Sequence, residues 1–220
     1  MNVESLASFL IYGVLYLLIL ILWMQIRKYM EQNRTLRSEI ISKNRTVRSY
    51  EVFMNTLEKQ KNQELPEPIL VLGNTNSGIE LTVLTSLYCG MCKELTDIIG
   101  HILFAYEDEV KINILFKTQP VEERNQYLYI LHSVFLTHGS QEFMKAMYFW
   151  FKHKNLAPWF IDTGYNIEET KTALHQSNQW FAQQGIISTP SIFINGYEFP
   201  VEYDKEDLYY YIEGIIENNK

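Results

Sequence analysis

The only two cysteines of this 220-residue chain, Cys89 and Cys92, lie three positions apart. Two cysteines placed at random in such a chain would have this separation only about once in a hundred times, so the spacing itself indicates redox or metal chemistry. A pair of thiols can exchange with a disulfide, or it can supply half of a tetrahedral zinc site.

The residues that flank the pair predict a short strand before it and a helix after it. Residues 79–87 are rich in β-branched and apolar side chains, and residues 93–104 carry apolar side chains at helical spacing. The pair is therefore expected at the start of a helix, where unpaired N–H groups and the helix dipole stabilise a thiolate. This position predicts a lowered pKa for Cys89, the attacking thiol, with Cys92 one turn further on to resolve a mixed disulfide.

Two other roles for the cysteine pair have less support. A zinc site needs more ligands than two cysteines, and the nearest histidine in the sequence is His101. A structural disulfide is disfavoured because closing so short a loop constrains little of the unfolded chain. We expect no metal in the site and rank both alternatives below redox exchange.

The composition limits the class of protein. With 47% hydrophobic residues the chain can bury a sizeable core, and its length favours one domain with accessory segments. The net charge is −7 and no long basic run is present. Binding to the phosphates of a nucleic acid needs clustered Lys and Arg, which this sequence lacks. Nucleic acid is therefore excluded as the main partner.

After a short tail, residues 1–5, an apolar segment over residues 6–26 predicts a single transmembrane anchor. These residues include no charged side chain, and a bilayer is spanned by about 20 apolar residues. A cleaved signal peptide is disfavoured because no basic region precedes the segment and no small-x-small site follows it. A buried helix of a soluble protein is also disfavoured, since core helices rarely run so long without a charge. The membrane is therefore an expected partner.

The basic residues near this segment predict its orientation in the membrane. All of them follow it, and the positive-inside rule then places the rest of the chain in the cytoplasm. These residues are Arg27, Lys28, Arg34 and Arg37.

Residues 27–65 form a charged linker with no glycine or proline before Pro66. Its pattern predicts one continuous helix over residues 27–63, up to about 55 Å long. A solvated amphipathic helix that rests one face on the domain or the membrane is favoured over a dimeric coiled coil, because the apolar repeat is short and broken. Pro66 and Pro68 end the helix, so the folded domain is expected over residues 69–220. The apolar repeat consists of Leu36, Ile40, Val47, Met54 and Leu57.

The rest of the chain predicts an α/β domain. The strand, dithiol helix and next strand form a βαβ unit with parallel pairing. A helical insertion over about residues 121–185 follows, with a capping box at Asn166 and Glu169, and Asn195-Gly196 predicts a hairpin. Asp204 is expected to cap the last helix. The predicted strands are residues 69–72, 79–87, 110–116, 189–194 and 197–199, and the predicted helices are residues 93–104, 122–136, 141–152, 166–184 and 205–217.

This order of elements resembles the thioredoxin fold, and the helical insertion resembles the DsbA-like branch of disulfide oxidoreductases. More narrowly, residues 88–92 and 189–200 are similar to the thioredoxin domain fused to bacterial vitamin K epoxide reductase homologues. In those fusions a membrane span and a charged helix precede the domain. The resemblance implies a thioredoxin fold with a helical insertion, preceded by one transmembrane helix and a charged amphipathic helix.

The resemblance also implies roles for individual residues. Pro190 matches the cis-proline that faces the dithiol, which leaves the Thr189 backbone free to pair with an extended substrate; a trans proline in an edge strand is the weaker alternative. Gly90 and Met91 occupy the variable dipeptide that tunes the thiolate, and Met91 replaces a frequent proline. Val83 stands where many members carry a buried acid, so water or another group must handle the proton of the resolving thiol.

The function implied by the resemblance is that of a membrane-anchored thiol–disulfide oxidoreductase. It would form, reduce or isomerise disulfides of protein substrates, with no cofactor beyond the Cys89–Cys92 disulfide. A separate membrane protein, such as a vitamin K epoxide reductase homologue, is the implied redox partner, and the domain would lie outside the cytoplasm, against the charge rule. The alternative is a tethered binding module that holds a partner without redox turnover.

Overall fold

The structure, a computed structural model, describes residues 3–47, 49–159, 167–186 and 188–219, and side chains within the first range for residues 12–37. The chain divides into two compact units, Met1–Ser49 and Tyr50–Lys220. The first unit contains helix α1 (Val3–Val47). Among the described helices, one stretch of α1, Tyr12–Arg37, is long and apolar enough to cross a membrane, with a mean hydropathy of 1.4.

The prediction of one continuous helix over residues 27–63 is wrong. Helix α1 ends at Val47, and a separate helix α2 (Tyr50–Leu57) belongs to the second unit. Phe53 and Leu57 are buried there, and the Phe53 ring stacks on Tyr211 with ring centroids 4.2 Å apart. Of the predicted apolar repeat, Leu57 therefore lies in the core and Met54 packs against it, whereas Leu36 is exposed. The folded unit begins at Tyr50 rather than at residue 69.

The second unit is built on a five-stranded sheet with the order β1-β3-β2-β4-β5. Strands β2 and β3 are parallel and adjacent, which confirms the predicted βαβ unit, and the remaining neighbours pair antiparallel. The strands are β1 (Leu70–Gly73), β2 (Glu80–Thr85), β3 (Lys111–Phe116), β4 (Ser191–Ile194) and β5 (Tyr197–Glu198).

Four further helices pack on this sheet: α3 (Gly90–Tyr106), α4 (Gln126–His153), α5 (Ile167–Gln183) and α6 (Leu208–Asn218). The helices predicted over residues 122–136 and 141–152 both lie in α4, which consists of two helical segments that meet at the non-helical Gly139 (φ 77°, ψ −173°). Glycine occupies this conformation without the strain that a Cβ would cause. The predicted cap at Asn166 lies outside the described residues.

The final helix begins later than predicted. Asp204 caps a short 3-10 helix, Lys205–Asp207, where its side chain accepts a hydrogen bond from the Glu206 N–H. Helix α6 follows directly. Two more 3-10 turns, Glu122–Arg124 and Ala157–Trp159, flank α4.

The two faces of the sheet cover different cores. Leu81 and Val83 of β2 belong to the large core that also contains Cys92. Leu84 of the same strand lies in a smaller core on the opposite face, with Phe181 of α5. Because β2 and β3 are parallel, their carboxyl ends meet at one edge, and α3 begins at that edge. The dithiol therefore lies where loops can present it to a partner.

Candidate active site

The turn between β2 and α3 carries the dithiol. Cys89 is the N-cap residue of α3, with extended backbone angles (φ −99°, ψ 126°). Its N–H donates to Ser86 O at 3.2 Å, which closes the turn after β2. The sulfur of Cys89 therefore lies at the free N–H groups of the helix, as the flanking residues predicted.

The helical insertion holds this turn in place. The indole Nε1 of the buried Trp150 in α4 donates to Leu87 O at 2.8 Å. The Tyr88 ring packs edge-on against Trp150, with centroids 5.6 Å apart. A side chain more than sixty positions away in the sequence thus satisfies a buried carbonyl next to the dithiol.

The structure brings Cys89 to the loop before β4. The half-buried Cys89 thiol donates to Thr189 O at 3.2 Å, and the Thr189–Pro190 peptide bond is cis. On the far side of the same loop, Pro190 O accepts a hydrogen bond of 2.7 Å from Lys205 Nζ. Cys89, Thr189 and Pro190, which the sequence analysis grouped, therefore lie at one site.

The surroundings of Cys89 favour its thiolate. Partial burial raises the pKa of the Cys89 thiol, but hydrogen bonds outweigh burial and leave the pKa below its ordinary value. Two of these bonds involve the side chains of Cys92 and Thr189, and two come from the backbone N–H groups of Cys92 and Met91. The direction is the one that the helix-start position predicted.

Cys92 has the opposite environment. Its side chain is completely buried, and burial raises its pKa to about 11. The nearby Thr85 side chain and Ser86 backbone lower this pKa and act against the rise, whereas the neighbouring Cys89 adds to it. Both cysteines are free thiols in this structure. The pair thus combines an accessible thiol of lowered pKa with a protected thiol that stays protonated at neutral pH.

The two residues between the cysteines are exposed. Gly90 would tolerate a Cβ without any contact within 4 Å, so no steric reason requires glycine there. Met91 reaches the Cys89 sulfur through its N–H, while its side chain is 61% exposed. Met91 therefore acts on the thiolate by its backbone, and its side chain remains available for contact with a partner.

No carboxylate takes the place of the acid that Val83 replaces, as far as the described residues show. Val83 is fully buried in the core that contains Cys92. Of the two acids nearest in sequence, Glu80 pairs with Lys111 at 2.8 Å and Glu94 is exposed. The described residues also contain no cluster of three or more His, Cys, Asp or Glu side chains suited to a metal ion.

A polar cleft of about 800 Å³ lies between the segment after β3 and helix α5. Gln119, in its wall, donates from Nε2 to Ser86 Oγ at 3.4 Å. The buried Asn125 holds the wall in shape, because its Oδ1 accepts from the Gln119 N–H at 2.8 Å. One wall residue of the cleft, Gln119, therefore contacts the turn that carries Cys89, although no residue of that turn lines the cleft.

Sequence reasoning missed Trp150, Lys205 and this cleft. The high aromatic content of the insertion was visible, but it did not show which ring reaches Leu87. No local pattern around Lys205 points to Pro190. Such contacts join distant segments and have no sequence periodicity of their own.

Comparison with solved structures supports the fold. BdbD from Bacillus subtilis superposes with a TM-score of 0.52 at 15% identity, over 72% of this chain and 98% of BdbD. The thiol-disulfide exchange protein alpha-DsbA2 from Wolbachia pipientis gives a TM-score of 0.54 at 14% identity, over 79% and 98% of the two chains. Proteus mirabilis ScsC gives 0.54 at 15% identity, over 88% and 94%.

No protein-family model matches the chain, and none of the curated proteins matches its sequence. Identities of 14–15% to the solved structures establish the fold alone. The predicted fold is confirmed: this chain has a thioredoxin-like fold with a mixed sheet, and helices α4 and α5 lie between β3 and β4.

Proposed function

We propose that this chain is a membrane-anchored thiol–disulfide oxidoreductase that acts on protein substrates through Cys89 and Cys92. The observation that carries the proposal is the opposite environment of the two thiols. Cys89 is accessible, caps α3 and has a lowered pKa, whereas Cys92 is buried with a pKa of about 11. One thiol is built to attack, and its neighbour is protected until a mixed disulfide is formed.

The proposed exchange needs no cofactor. The Cys89 thiolate attacks a substrate disulfide, forms an S–S bond to one substrate sulfur and releases the other as a thiolate. Cys92 then gives up its proton and attacks Cys89, so the mixed disulfide breaks and the second substrate sulfur leaves as a thiol. The products are a reduced substrate and the Cys89–Cys92 disulfide, and the reverse sequence oxidises a substrate dithiol. Thr189 would pair with the substrate backbone beside Pro190.

The lowered pKa of Cys89 supports oxidation as the physiological direction. Reduction potentials in this fold span about 150 mV, which corresponds to about 7 kcal/mol. A stabilised thiolate stabilises the reduced protein, and a protein whose reduced form is stable is a stronger oxidant. We therefore propose that the Cys89–Cys92 disulfide is transferred to substrate thiols.

The proposed location follows from this direction. Disulfides persist in oxidising compartments, so an oxidase domain belongs outside the cytoplasm, with the apolar part of α1 as its anchor. The basic residues after the apolar segment favour the opposite orientation. A separate membrane protein that resembles a vitamin K epoxide reductase would reoxidise the dithiol, a partner suggested by the similarity of residues 88–92 and 189–200 to such fusions.

Cysteine variants of the full chain in detergent test this function. A peptide with two thiols is mixed with the oxidised chain, and its oxidation is followed. We expect wild-type turnover and no turnover for Cys89→Ser. When the peptide is supplied as its disulfide instead, Cys92→Ser should form a mixed disulfide through Cys89, release one peptide thiol and keep an adduct that only added reductant removes. Cys89→Ser/Cys92→Ser is the matched control and should form no adduct. Full activity of Cys89→Ser, or no exchange by the wild type, would refute the proposal in favour of a binding module.

Labelling in intact cells tests the location. A membrane-impermeant maleimide should label the cysteines only after mild reduction of the cell surface. Labelling that requires opened cells would place the domain in the cytoplasm and would reverse the proposed direction.

A further inference from the structure

One buried hydroxyl lies at the end of β2 without a role in the exchange described above. Thr85 is 3% exposed, and its Oγ1 makes no hydrogen bond of ordinary geometry within the described part of the chain. Its carbonyl is satisfied, because the Lys117 N–H donates to it at 2.8 Å. Buried hydroxyls are rarely left without a partner, since they lose water on burial. The side chain of Thr85 therefore needs an explanation.

The alternation of β2 shows which way this hydroxyl faces. Leu81 and Val83 lie in the core that contains Cys92, whereas Leu84 lies in the smaller core on the opposite face. Side chains two positions apart on a strand share a face, so Thr85 faces the Cys92 side with Val83. The hydroxyl thus lies below the dithiol turn, in the layer that holds the resolving thiol.

Neither of the two acids nearest in sequence assists Cys92 there. Its side chain is fully buried, and the described carboxylates Glu80 and Glu94 are engaged elsewhere or exposed. A thiolate at this depth is desolvated, so it depends on hydrogen bonds from its immediate neighbours. Two neighbours favour the Cys92 thiolate and so lower the pKa of Cys92: the Thr85 hydroxyl and the Ser86 backbone.

We propose that the Thr85 hydroxyl donates a hydrogen bond to the Cys92 sulfur whenever that sulfur carries negative charge during exchange. This inference rests on the proposed function. In the reductive direction Cys92–SH loses its proton and attacks Cys89, the Cys89–substrate bond breaks, and the released substrate thiolate or water takes the proton. In the oxidative direction the Cys92 thiolate is the leaving group. Thr85 stabilises the same charged sulfur in both, and it neither gains nor loses a proton overall.

Thr85 therefore occupies the functional place of the acid that Val83 replaces, with a different chemistry. A carboxylate can accept the proton of the resolving thiol, whereas a hydroxyl can only stabilise the thiolate that remains. The hydroxyl has no favoured acceptor while Cys92 is protonated. It acquires one when the sulfur becomes an anion, which accounts for its lack of a partner in the dithiol form.

The test measures the Cys92 step directly in the full chain in detergent. A fluorescent peptide is attached to Cys89 as a mixed disulfide at acidic pH, where Cys92 is protonated, and its release is followed after a jump to each higher pH. We expect Thr85→Val to release the peptide about tenfold more slowly at every pH below the Cys92 pKa, the factor lost with one hydrogen bond to a charged group. Thr85→Ser, which keeps the hydroxyl, should restore most of the rate.

Thr82→Val is the matched control. Thr82 is also buried on β2, and its hydroxyl accepts from Asn113 Nδ2 at 3.1 Å, but it points to the opposite face. This variant should keep the wild-type rate. An equal slowing by Thr82→Val would mean that strand damage is being measured, and it would overturn the inference.

A second measurement separates electrostatics from packing. In a Cys89→Ala background the thiolate absorbance of Cys92 is titrated, and Thr85→Val should lower the thiolate fraction about tenfold at a given pH, the equivalent of one pKa unit. Unchanged release and an unchanged titration would refute the role of Thr85 while exchange itself stands. If the wild-type chain does not release the peptide at all, the proposed function fails instead. Thr85→Ala is interpreted in the same way if Thr85→Val does not fold.

Discussion

The hydrogen bond between Trp150 and Leu87 makes the clearest prediction about how the insertion supports the site. Trp150→Phe keeps an aromatic ring but removes the Nε1–H that donates to Leu87 O at 2.8 Å. Leu87 is 1% exposed, so water cannot replace the lost donor. An unsatisfied buried carbonyl costs about 1–3 kcal/mol, and the smaller ring leaves a cavity that costs about 1 kcal/mol more.

The expected loss in the free energy of unfolding is therefore about 2–4 kcal/mol, or about 5–15 °C in melting temperature. Urea unfolding of the full chain in detergent, followed by far-UV circular dichroism, measures it. Trp159→Phe is the matched control, because Trp159 is only partly buried and donates at 2.8 Å to the partly exposed carboxylate of Glu142. Its loss should be much smaller.

The reactivity of Cys89 should change with the same variant. The Leu87–Cys89 turn loses its anchor in Trp150→Phe, so the Cys89 sulfur is held less firmly against the N–H groups of α3. We expect slower alkylation of Cys89 at pH 7, whereas Trp159→Phe keeps the wild-type rate.

For Trp150→Phe, a loss in the free energy of unfolding below about 0.5 kcal/mol, within the range of ordinary surface substitutions, would refute the reasoning that this bond holds the site.

Two other properties can be predicted from the structure. The reduced domain should lose stability as the pH rises from about 9 toward 11, because the pKa of Cys92 is raised to about 11 and the unfolded chain releases that proton first. Cys89 has a lowered pKa, so it should instead add stability as the pH rises through its folded pKa. Urea unfolding at a series of pH values, with Cys92→Ala and Cys89→Ala, separates the two effects. A chain that starts at residue 50 should fold, whereas one that starts at residue 69 should not, because it lacks Phe53 and Leu57 of the core, and Phe53→Ala should cost about 3–5 kcal/mol in the same unfolding assay.

Much of the site was predictable because its signals are local. The spacing of Cys89 and Cys92, the apolar strand before them and the helical pattern after them lie within about thirty residues. They determine a thiol at a helix start and therefore the direction of its pKa shift. The periodicity of the later segments, together with the resemblance, led to the thioredoxin-like fold. Hydrophobic alternation specifies which elements form, and their order restricts how they can pack.

Other features were decided only by the tertiary structure. Tyr50–Leu57 has an apolar stripe that suits a surface helix or a core helix equally, and only the stacking of Phe53 on Tyr211 selects the core. The contacts of Trp150 with Leu87 and of Lys205 with Pro190 join segments that no sequence pattern links. The proposed role of Thr85 was also not predictable from the sequence. Threonine is common in strands, and its role here depends on the buried sulfur of Cys92. Burial and partner atoms set the chemistry of a side chain, and both exist only once the chain is folded.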